Sequence, residues 1–212
     1  MKISIEKLGK RYQNEWIFRN FNYTFYQGKG YALTGHNGSG KSTLLKIISG
    51  YHLFTEGQIS YFSEQSDNEI PIDSVFEHFT VATPYMELIE DFTLAEHLDF
   101  HFKFRKITDN ISPKEIMEIA WLSNSAHKYI KNFSSGMKQR LKLALTFYTK
   151  SDYVLLDEPT SNLDAQGIDW YHAEIEKIAS SDKTLIIASN QLEEYEKYCP
   201  EVINLTEIKP SN

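Results

Sequence analysis

Hydrophobic and polar residues follow two different periods along the chain. Near the start, Ile3 and Ile5 alternate with polar residues, and 21–25 repeats this two-residue period of strands with one buried face. The continuous apolar runs YVLL at 153–156 and LIIA at 185–188 are bounded by turn-forming residues and favour strands buried on both faces. The pattern predicts an antiparallel layer at the front of the chain and parallel strands behind it.

Between these strands lies a long stretch with the helical period. Apolar residues there recur three and four positions apart, most clearly in IMEIAWL and LKLAL, which indicates amphipathic helices. We therefore predict an α/β fold and a single domain spanning 1–212. Its core comprises 1–85 and 151–212, and a helical subdomain is inserted at about 86–150.

The charge and the cysteine content of the chain make several classes of protein function less probable. The 212 residues include 22 Lys plus Arg against 29 Asp plus Glu, a net charge of −7, which disfavours general nucleic-acid binding because that binding depends on clustered cations. A single cysteine, Cys199, allows no internal disulfide, so we expect a structural thiol in a reducing compartment. The start MKISIEKLGK lacks the apolar stretch of a signal peptide, and no run approaches the roughly 20 apolar residues of a spanning helix.

The first chemical motif is GHNGSGKS at 35–42, which fits the phosphate-loop pattern G-x-x-x-x-G-K-[ST]. It follows an apolar run at 31–33 and precedes LLKII, so strand, loop and helix come in the order that a phosphate site needs. Loop amides and the helix N-terminus bind phosphate, Lys41 reaches the outer phosphates, and the Ser42 hydroxyl can ligate Mg²⁺. The residues predicted to bind a nucleoside triphosphate are Gly35, Asn37, Gly38, Ser39, Gly40, Lys41, Ser42 and Thr43.

The second motif is a pair of carboxylates, Asp157 and Glu158, at the end of the apolar run 153–156. In open α/β sheets, ligands bind at the carboxyl ends of the strands. Asp157 can hold Mg²⁺ there, and Glu158 can orient and polarise an attacking water. Acidic strand ends are common as solvated surface, but the phosphate loop favours the functional interpretation.

Three further segments occur in a family-specific order. The segment FSSGMKQR at 133–140 resembles a signature loop that normally reads LSGGQ, SNLD at 161–164 resembles a D-loop, and the aromatic residue Tyr12 lies ahead of the phosphate loop. With the two motifs above, the chain resembles, over nearly its whole length, the ATP-binding subunits of ABC transporters.

The resemblance implies a P-loop NTPase core of the ABC ATPase type, with ATP and Mg²⁺ as cofactors. Tyr12 is implied to stack on adenine, and Ser134 and Gly136 to contact ATP bound by a second protomer, in a homodimer or heterodimer. The implied enzyme is an ATPase peripheral to the inner face of the cell membrane, coupled to a transmembrane permease on a separate chain. Ser135 departs from the usual glycine of the signature loop and adds a side chain where close approach is needed.

Two other departures concern catalysis. The family's glutamine at the entry to the helical subdomain is missing from 81–87, where Tyr85 or Glu87 is a possible replacement. Asn190 stands where the family has a histidine that contacts the γ-phosphate, and an amide carries neither positive charge nor a titratable proton. We expect intact ATP binding and slow hydrolysis. The alternatives are an ATP-dependent switch or assembly module with weak hydrolysis, or a soluble ABC ATPase without a transport role.

Phe100, Phe102 and Phe104 alternate with polar residues inside the helical stretch. They either line a groove for a segment of the membrane partner or form a partly buried core on two faces of a helix. Burial is the more common fate of aromatic side chains, so we favour the second interpretation.

Overall fold

The chain begins with three strands, and helices and further strands follow. A computed structural model describes residues 1–64, 66, 68–108 and 111–208. Within these residues the strands are β1 (Lys2–Tyr12), β2 (Glu15–Phe25), β3 (Gly30–Thr34), β4 (Glu56–Phe62), β5 (Phe79–Ala82), β6 (Tyr153–Asp157), β7 (Thr184–Ala188) and β8 (Glu201–Asn204). The α-helices are α1 (Lys41–Ile48), α2 (Leu94–Phe104), α3 (Pro113–Ile119), α4 (Ser135–Tyr148) and α5 (Ala165–Ala179).

Two sheets lie at the centre of the fold. β2, β1 and β4 pair antiparallel in that order, and β5, β6, β7, β3 and β8 form a parallel sheet. Every residue of β6 and β7 is buried, as their continuous apolar sequences predict. The predicted α/β class with an antiparallel front layer is therefore confirmed.

Apolar side chains pack in three clusters. One cluster lies between the antiparallel sheet, α1 and the parallel sheet and includes Phe18 and Tyr153. A second contains residues of β6, β7 and α5, together with Cys199, which is 2% exposed. Burial raises the pKa of the Cys199 thiol to about 12, so the predicted structural role of this cysteine agrees with its surroundings.

The connection from β5 to β6 holds α2, α3 and α4, which surround the third cluster. Thr93 and Glu96 form a capping box at the start of α2, and Ser112 and Glu115 form another at α3. The predicted subdomain limits of about 86–150 fall inside this connection. Residues 65, 67, 109–110 and 209–212 of the predicted units lie outside the described residues.

The register of the parallel sheet brings three strand ends together. Ala188 of β7 pairs with Leu33 of β3 on one side and with Asp157 of β6 on the other. The loops after these strands therefore emerge side by side at one edge. Among the described residues, no helix has the length and apolar character needed to cross a membrane.

Candidate nucleotide site

The loop from Gly35 to Gly40 joins β3 to α1. Gly40 caps α1 with φ 102°, a left-handed conformation that favours glycine, and an added Cβ would lie 2.6 Å from Ile17 Cγ2. This cap supplies no side-chain acceptor, so the first N–H groups of α1 remain available to an anion. Ser39 is fully buried and its hydroxyl has no hydrogen-bond partner among the described residues. Thr43 is half-buried in the first turn of α1.

Lys41 lies over the same loop. Its Nζ donates hydrogen bonds to the carbonyl oxygens of Gly35 at 2.8 Å and His36 at 3.4 Å. Burial lowers the pKa of this amine, while the carboxylates of Glu158 and Asp157 act in the opposite direction. The ammonium is thus held beside the phosphate loop within electrostatic reach of both carboxylates.

Asp157 ends β6 with its side chain buried beside Ser42. The Ser42 hydroxyl lies close enough to the Asp157 carboxylate to lower its pKa by hydrogen bonding, and Asp157 Oδ2 has no hydrogen-bond partner among the described residues. Burial raises the pKa of Asp157, and the hydrogen bond from Ser42 opposes that rise. A hydroxyl beside a carboxylate with an unused oxygen fits the hard oxygen ligands of Mg²⁺.

Glu158 follows directly and leaves the strand through an unusual backbone conformation. Its φ is 46°, in the left-handed region that is costly for a residue with a side chain. Its N–H donates to Ala188 O at 2.9 Å, and its own carbonyl accepts from Ser161 N at 3.1 Å. The half-buried side chain lies close enough to Lys41 and Asp157 to influence the pKa of both.

Asn190 reaches the phosphate loop from the end of β7. Its Nδ2 donates to the side-chain oxygen of Asn37 at 2.7 Å, and both residues are exposed. Asn190, which the sequence analysis expects in place of a histidine, thus lies at the loop and is joined to it by a neutral hydrogen bond. Lys41, Asp157, Glu158 and Asn190 therefore gather at one edge of the sheet.

The signature segment begins α4 on the helical side. Ser134 caps the helix by accepting from Met137 N at 3.2 Å, and an added Cβ at Gly136 would lie 3.2 Å from Asn162 O. Among the described residues, no hydrogen bond joins Ser134 or Gly136 to the phosphate loop. The structure thus places Gly136 beside Asn162, and Ser134 at the start of α4.

Tyr12 lies at the end of β1 and is 44% exposed. Its hydroxyl is 2.7 Å from His52 Nε2, and the Lys10 ammonium lies 4.6 Å from the ring centroid. Lys10 therefore covers one face of the ring, which leaves the opposite face as the one on which a base can stack.

Neither candidate for the missing glutamine contacts the Asp157 side chain. Tyr85 is 79% exposed, with Lys46 Nζ 5.5 Å from its ring centroid, and Glu87 is exposed near Lys142. Among the described residues, no hydrogen bond joins Tyr85 or Glu87 to Ser42 or Asp157. A role for either residue stays a prediction.

A groove of about 540 Å³ separates the helical part from the sheet. Its lining combines aromatic and aliphatic side chains, among them Tyr51, Phe76, Val81 and Tyr85, with polar and charged ones. One wall is fixed by Arg105, whose guanidinium donates to the carbonyl oxygens of Phe76 at 3.1 Å, Glu77 at 3.5 Å and Phe79 at 2.8 Å.

The three phenylalanines of α2 divide between burial and exposure. Phe102 packs against the helical cluster, whereas Phe100 and the 74% exposed Phe104 contact each other on the surface. The preference for two partly buried faces was therefore wrong for Phe104, because α2 leaves one side without a packing partner.

Two contacts around Glu158 carry no signal in the sequence. Gln139 Nε2, from α4, donates to Pro159 O at 2.7 Å in a buried position. Glu194 accepts from both the N–H and the hydroxyl of Thr160. Glu194 has acidic neighbours at 193 and 196, so the sequence alone suggests a solvated acidic surface.

The fold and the site define a class of protein. A parallel sheet, a phosphate loop that leads into a glycine-capped helix and two carboxylates on the adjoining strand end are the elements of a phosphate-loop nucleoside triphosphatase domain.

Comparison with known proteins gives the family. The ABC transporter family model matches residues 18–161, and the chain belongs to that family as one of its ATP-binding ATPase domains. It is similar to the uncharacterized ABC transporter ATP-binding protein YybJ of Bacillus subtilis (strain 168), with 32% identity covering 93% of this chain and 89% of the relative. It is also similar to the lantibiotic transport ATP-binding protein SrtF of Streptococcus pyogenes, with 32% identity covering 92% and 82%.

Solved structures share the fold. A structure of the ATP-binding cassette MJ0796 bound to ADP and Pi matches with a TM-score of 0.82 and 21% identity, covering 99% of this chain and 97% of that one. At this identity the likeness establishes the architecture, which agrees with the predicted ABC ATPase type of core.

Proposed function

We propose that the chain binds MgATP at the edge formed by β3, β6 and β7 and hydrolyses it to power a transporter, as one half of an ATP-sandwiched dimer. The observation that carries this proposal is the meeting of Lys41, Asp157 and Glu158 beside the free N–H groups of α1. Positive groups face the expected phosphates, and carboxylates lie where metal and water are needed.

Each residue has a separate role in the proposed reaction. Lys41 and the amides from Gly35 to Thr43 bind and orient the phosphates, and Tyr12 stacks on the base through the face that Lys10 leaves open. Ser42 and Asp157 hold Mg²⁺, which when bound neutralises phosphate charge. Glu158 accepts a hydrogen bond from water and orients it towards the terminal phosphate.

The placement of Ser134 and Gly136 supports the dimer. Ser134 is exposed at the N-terminus of the 14-residue helix α4, where backbone N–H groups can meet a phosphate, and neither residue bonds to the phosphate loop of its own chain. A second protomer, identical or homologous, would bring its ATP to this helix.

Glu158→Gln tests this arrangement because it removes the carboxylate that orients water while preserving the shape of the side chain. We expect hydrolysis to stop and an ATP-bound dimer to accumulate, as measured by light scattering after size-exclusion chromatography. The exposed Glu196→Gln provides a matched control that should turn over ATP and remain in exchange between monomer and dimer. A Glu158→Gln chain that stays monomeric with MgATP contradicts the sandwich.

We also infer slow hydrolysis from the Asn190–Asn37 hydrogen bond. An amide at this position can donate one hydrogen bond but supplies no positive charge to the transition state. Asn190→His should therefore raise the ATP turnover rate about 10-fold, since one charge-assisted hydrogen bond is worth about 1.4 kcal/mol more than a neutral one. Equal ATP turnover rates for the wild-type chain and Asn190→His would contradict this inference. They would also contradict the alternative function of an ATP-dependent switch with weak hydrolysis.

The proposed partner is a transmembrane permease that inserts an apolar segment into the groove between α2 and the sheet. The exposed aromatic side chains of Tyr51, Phe76 and Tyr85 suit such a segment, and the relative SrtF is named for transport. On this proposal, 86–150 acts as a helical subdomain against the core of 1–85 and 151–212, and the chain lies at the inner face of the cell membrane. What the transporter carries is set by the partner.

Purification from detergent-solubilised membranes tests the partner. We expect a membrane-spanning protein to remain bound to the wild-type chain and to be lost from Tyr85→Ser, while Tyr26→Ser, which changes an exposed tyrosine outside the groove, retains it. Recovery of the wild-type chain only on ribosomes or DNA would instead establish a non-transport ABC ATPase.

A further inference from the structure

Glu194 is a buried carboxylate outside the residues assigned above. It is 1% exposed and ends the short turn Leu192–Glu194 that follows Asn190. Burying a carboxylate in a protein interior is unfavourable unless hydrogen bonds compensate. Its Oε2 has no hydrogen-bond partner among the described residues, so compensation falls on Oε1.

Both hydrogen bonds to Oε1 come from Thr160. The Thr160 N–H donates at 3.0 Å, and the Thr160 hydroxyl donates to the same oxygen. The Glu194 backbone is fixed in turn, because its carbonyl accepts from the buried Tyr171 hydroxyl at 3.0 Å. Thr160 is therefore held by its hydrogen bonds to the segment that follows β7, which also contains Asn190.

Thr160 lies in a loop that needs such support. Glu158 has φ 46°, a left-handed conformation that is costly for a glutamate and persists only where its surroundings enforce it. Gln139 holds Pro159 from the helical side, and Glu194 holds Thr160 from the opposite side. Glu158 is thus one residue from the position that Gln139 holds and two residues from the position that Glu194 holds.

The other end of the same turn reaches the phosphate loop. Asn190, four residues before Glu194, donates to Asn37 at 2.7 Å. A single short segment therefore contacts the loop that holds phosphate and the loop that holds the water-orienting carboxylate.

We propose that Glu194 is a positioning residue for hydrolysis: its carboxylate clamps Thr160 and thereby holds Glu158 in line with the terminal phosphate. This inference rests on the proposed role of Glu158. It assigns Glu194 no contact with ATP, so its loss affects the chemical step and leaves nucleotide affinity unchanged.

The test measures kcat, KM and the ATP dissociation constant of the full chain, with single-turnover hydrolysis as a second readout. Glu194→Ala should lower kcat about 10-fold or more and leave ATP affinity within about twofold, because misplacing a catalytic group slows chemistry without weakening binding. Glu194→Gln keeps an acceptor oxygen for Thr160 and should restore kcat to within about threefold of wild type. The exposed neighbour Glu193→Ala is the matched control and should behave as wild type.

Thr160→Val removes the hydroxyl that donates to Glu194, and Thr160→Ser keeps it, so kcat should fall in the first variant and stay near wild type in the second. This pair tests the proposal if Glu194→Ala fails to fold. The proposal is overturned if Glu194→Ala and Thr160→Val keep full kcat, or if ATP affinity falls in step with kcat. If Glu158→Gln itself keeps full turnover, the role proposed for Glu158 is the one that fails.

Discussion

The nucleotide edge and the groove differ in what holds their functional groups in place. At the edge, backbone conformation and burial fix the site: Gly40 caps α1 with φ 102°, and Lys41 and Asp157 are buried. In the groove, aromatic, aliphatic and polar side chains from several elements form the lining, and Tyr85 is mostly exposed there. One region is built to bind small, highly charged phosphates, and the other exposes apolar surface.

Because of this difference, substitutions in the two regions should have different effects. Changes at the edge should alter ATP binding and turnover with little effect on the groove. Changes at the groove should alter folding stability or partner binding with little effect on ATP affinity. Four substitutions test this separation, taken from the largest expected effect to the smallest.

Lys41→Ala should weaken ATP binding about 1000-fold, or ~4 kcal/mol, because it removes the ammonium held over the phosphate loop. Isothermal titration with MgATP measures the loss. Lys29→Ala, which breaks an exposed ion pair with Glu201 at 3.7 Å, is the control and should bind ATP normally. Wild-type affinity in Lys41→Ala would mean that the phosphates bind elsewhere.

Arg105→Ala should lower the free energy of unfolding by about 3 kcal/mol, because three backbone carbonyls lose their shared donor. Denaturant unfolding measures the change. Lys103→Ala, in the last turn of the preceding helix α2, loses only an exposed ion pair with Asp99 and should cost less than about 0.5 kcal/mol. If Arg105→Ala also weakened ATP binding, the edge and the groove would not be separable.

His101 predicts a pH dependence of stability. Burial, with smaller contributions from His97 and Arg105, lowers the pKa of His101 from 6.5 to about 4, and Nε2 lies 2.8 Å from the Thr149 hydroxyl. Between pH 6.5 and 4 the unfolded chain binds more protons than the folded one, so stability is fully present above pH 6.5 and declines as pH falls to 4. Allowing for partial exposure, we expect a loss of about 2 kcal/mol.

Unfolding of His101→Gln in the same pH series checks the assignment. The substitution keeps a donor for Thr149 and removes the titrating group, so its stability should fall less steeply between pH 6.5 and 4. Parallel profiles for the two chains would show that other groups cause the loss.

Phe104→Ser should change the free energy of unfolding by less than about 0.5 kcal/mol, because its side chain is mostly in water. Phe102→Ser, two residues earlier, removes a side chain that packs on the helical cluster and should cost about 2 kcal/mol. Equal losses of unfolding free energy in the two variants would show that the Phe104 side chain is packed against the protein rather than exposed.

The sequence predicted the edge better than it predicted the groove. The spacing of the 35–42 motif and the apolar run before Asp157 depend on backbone geometry, which local residue types dictate directly. The strands β3, β6 and β7 and the cap of α4 by Ser134 follow from the same local signals. Neither β4 nor β8 was predicted, because pairing with distant strands determines where they lie.

Tertiary packing decided the contacts that the sequence did not indicate. Glu194 is an acidic residue among other acidic residues, and only its burial against Thr160 distinguishes it from a surface glutamate. Phe104 was misassigned for the converse reason, because its aromatic character predicts burial and α2 has no neighbour on that side. The local sequence therefore does not show which apolar side chains, such as Phe104, will remain exposed to solvent.

The buried thiol of Cys199 makes the natural chain suitable for site-specific labelling. A cysteine that is nearly inaccessible and whose pKa is raised to about 12 supplies little thiolate to a maleimide at neutral pH. Because the sequence contains no other cysteine, a cysteine introduced at exposed Lys29 or Glu196 can carry a spin label or a fluorophore without a cysteine-free background. Distances between such labels would follow the approach of two protomers in a chain whose interior is unaltered.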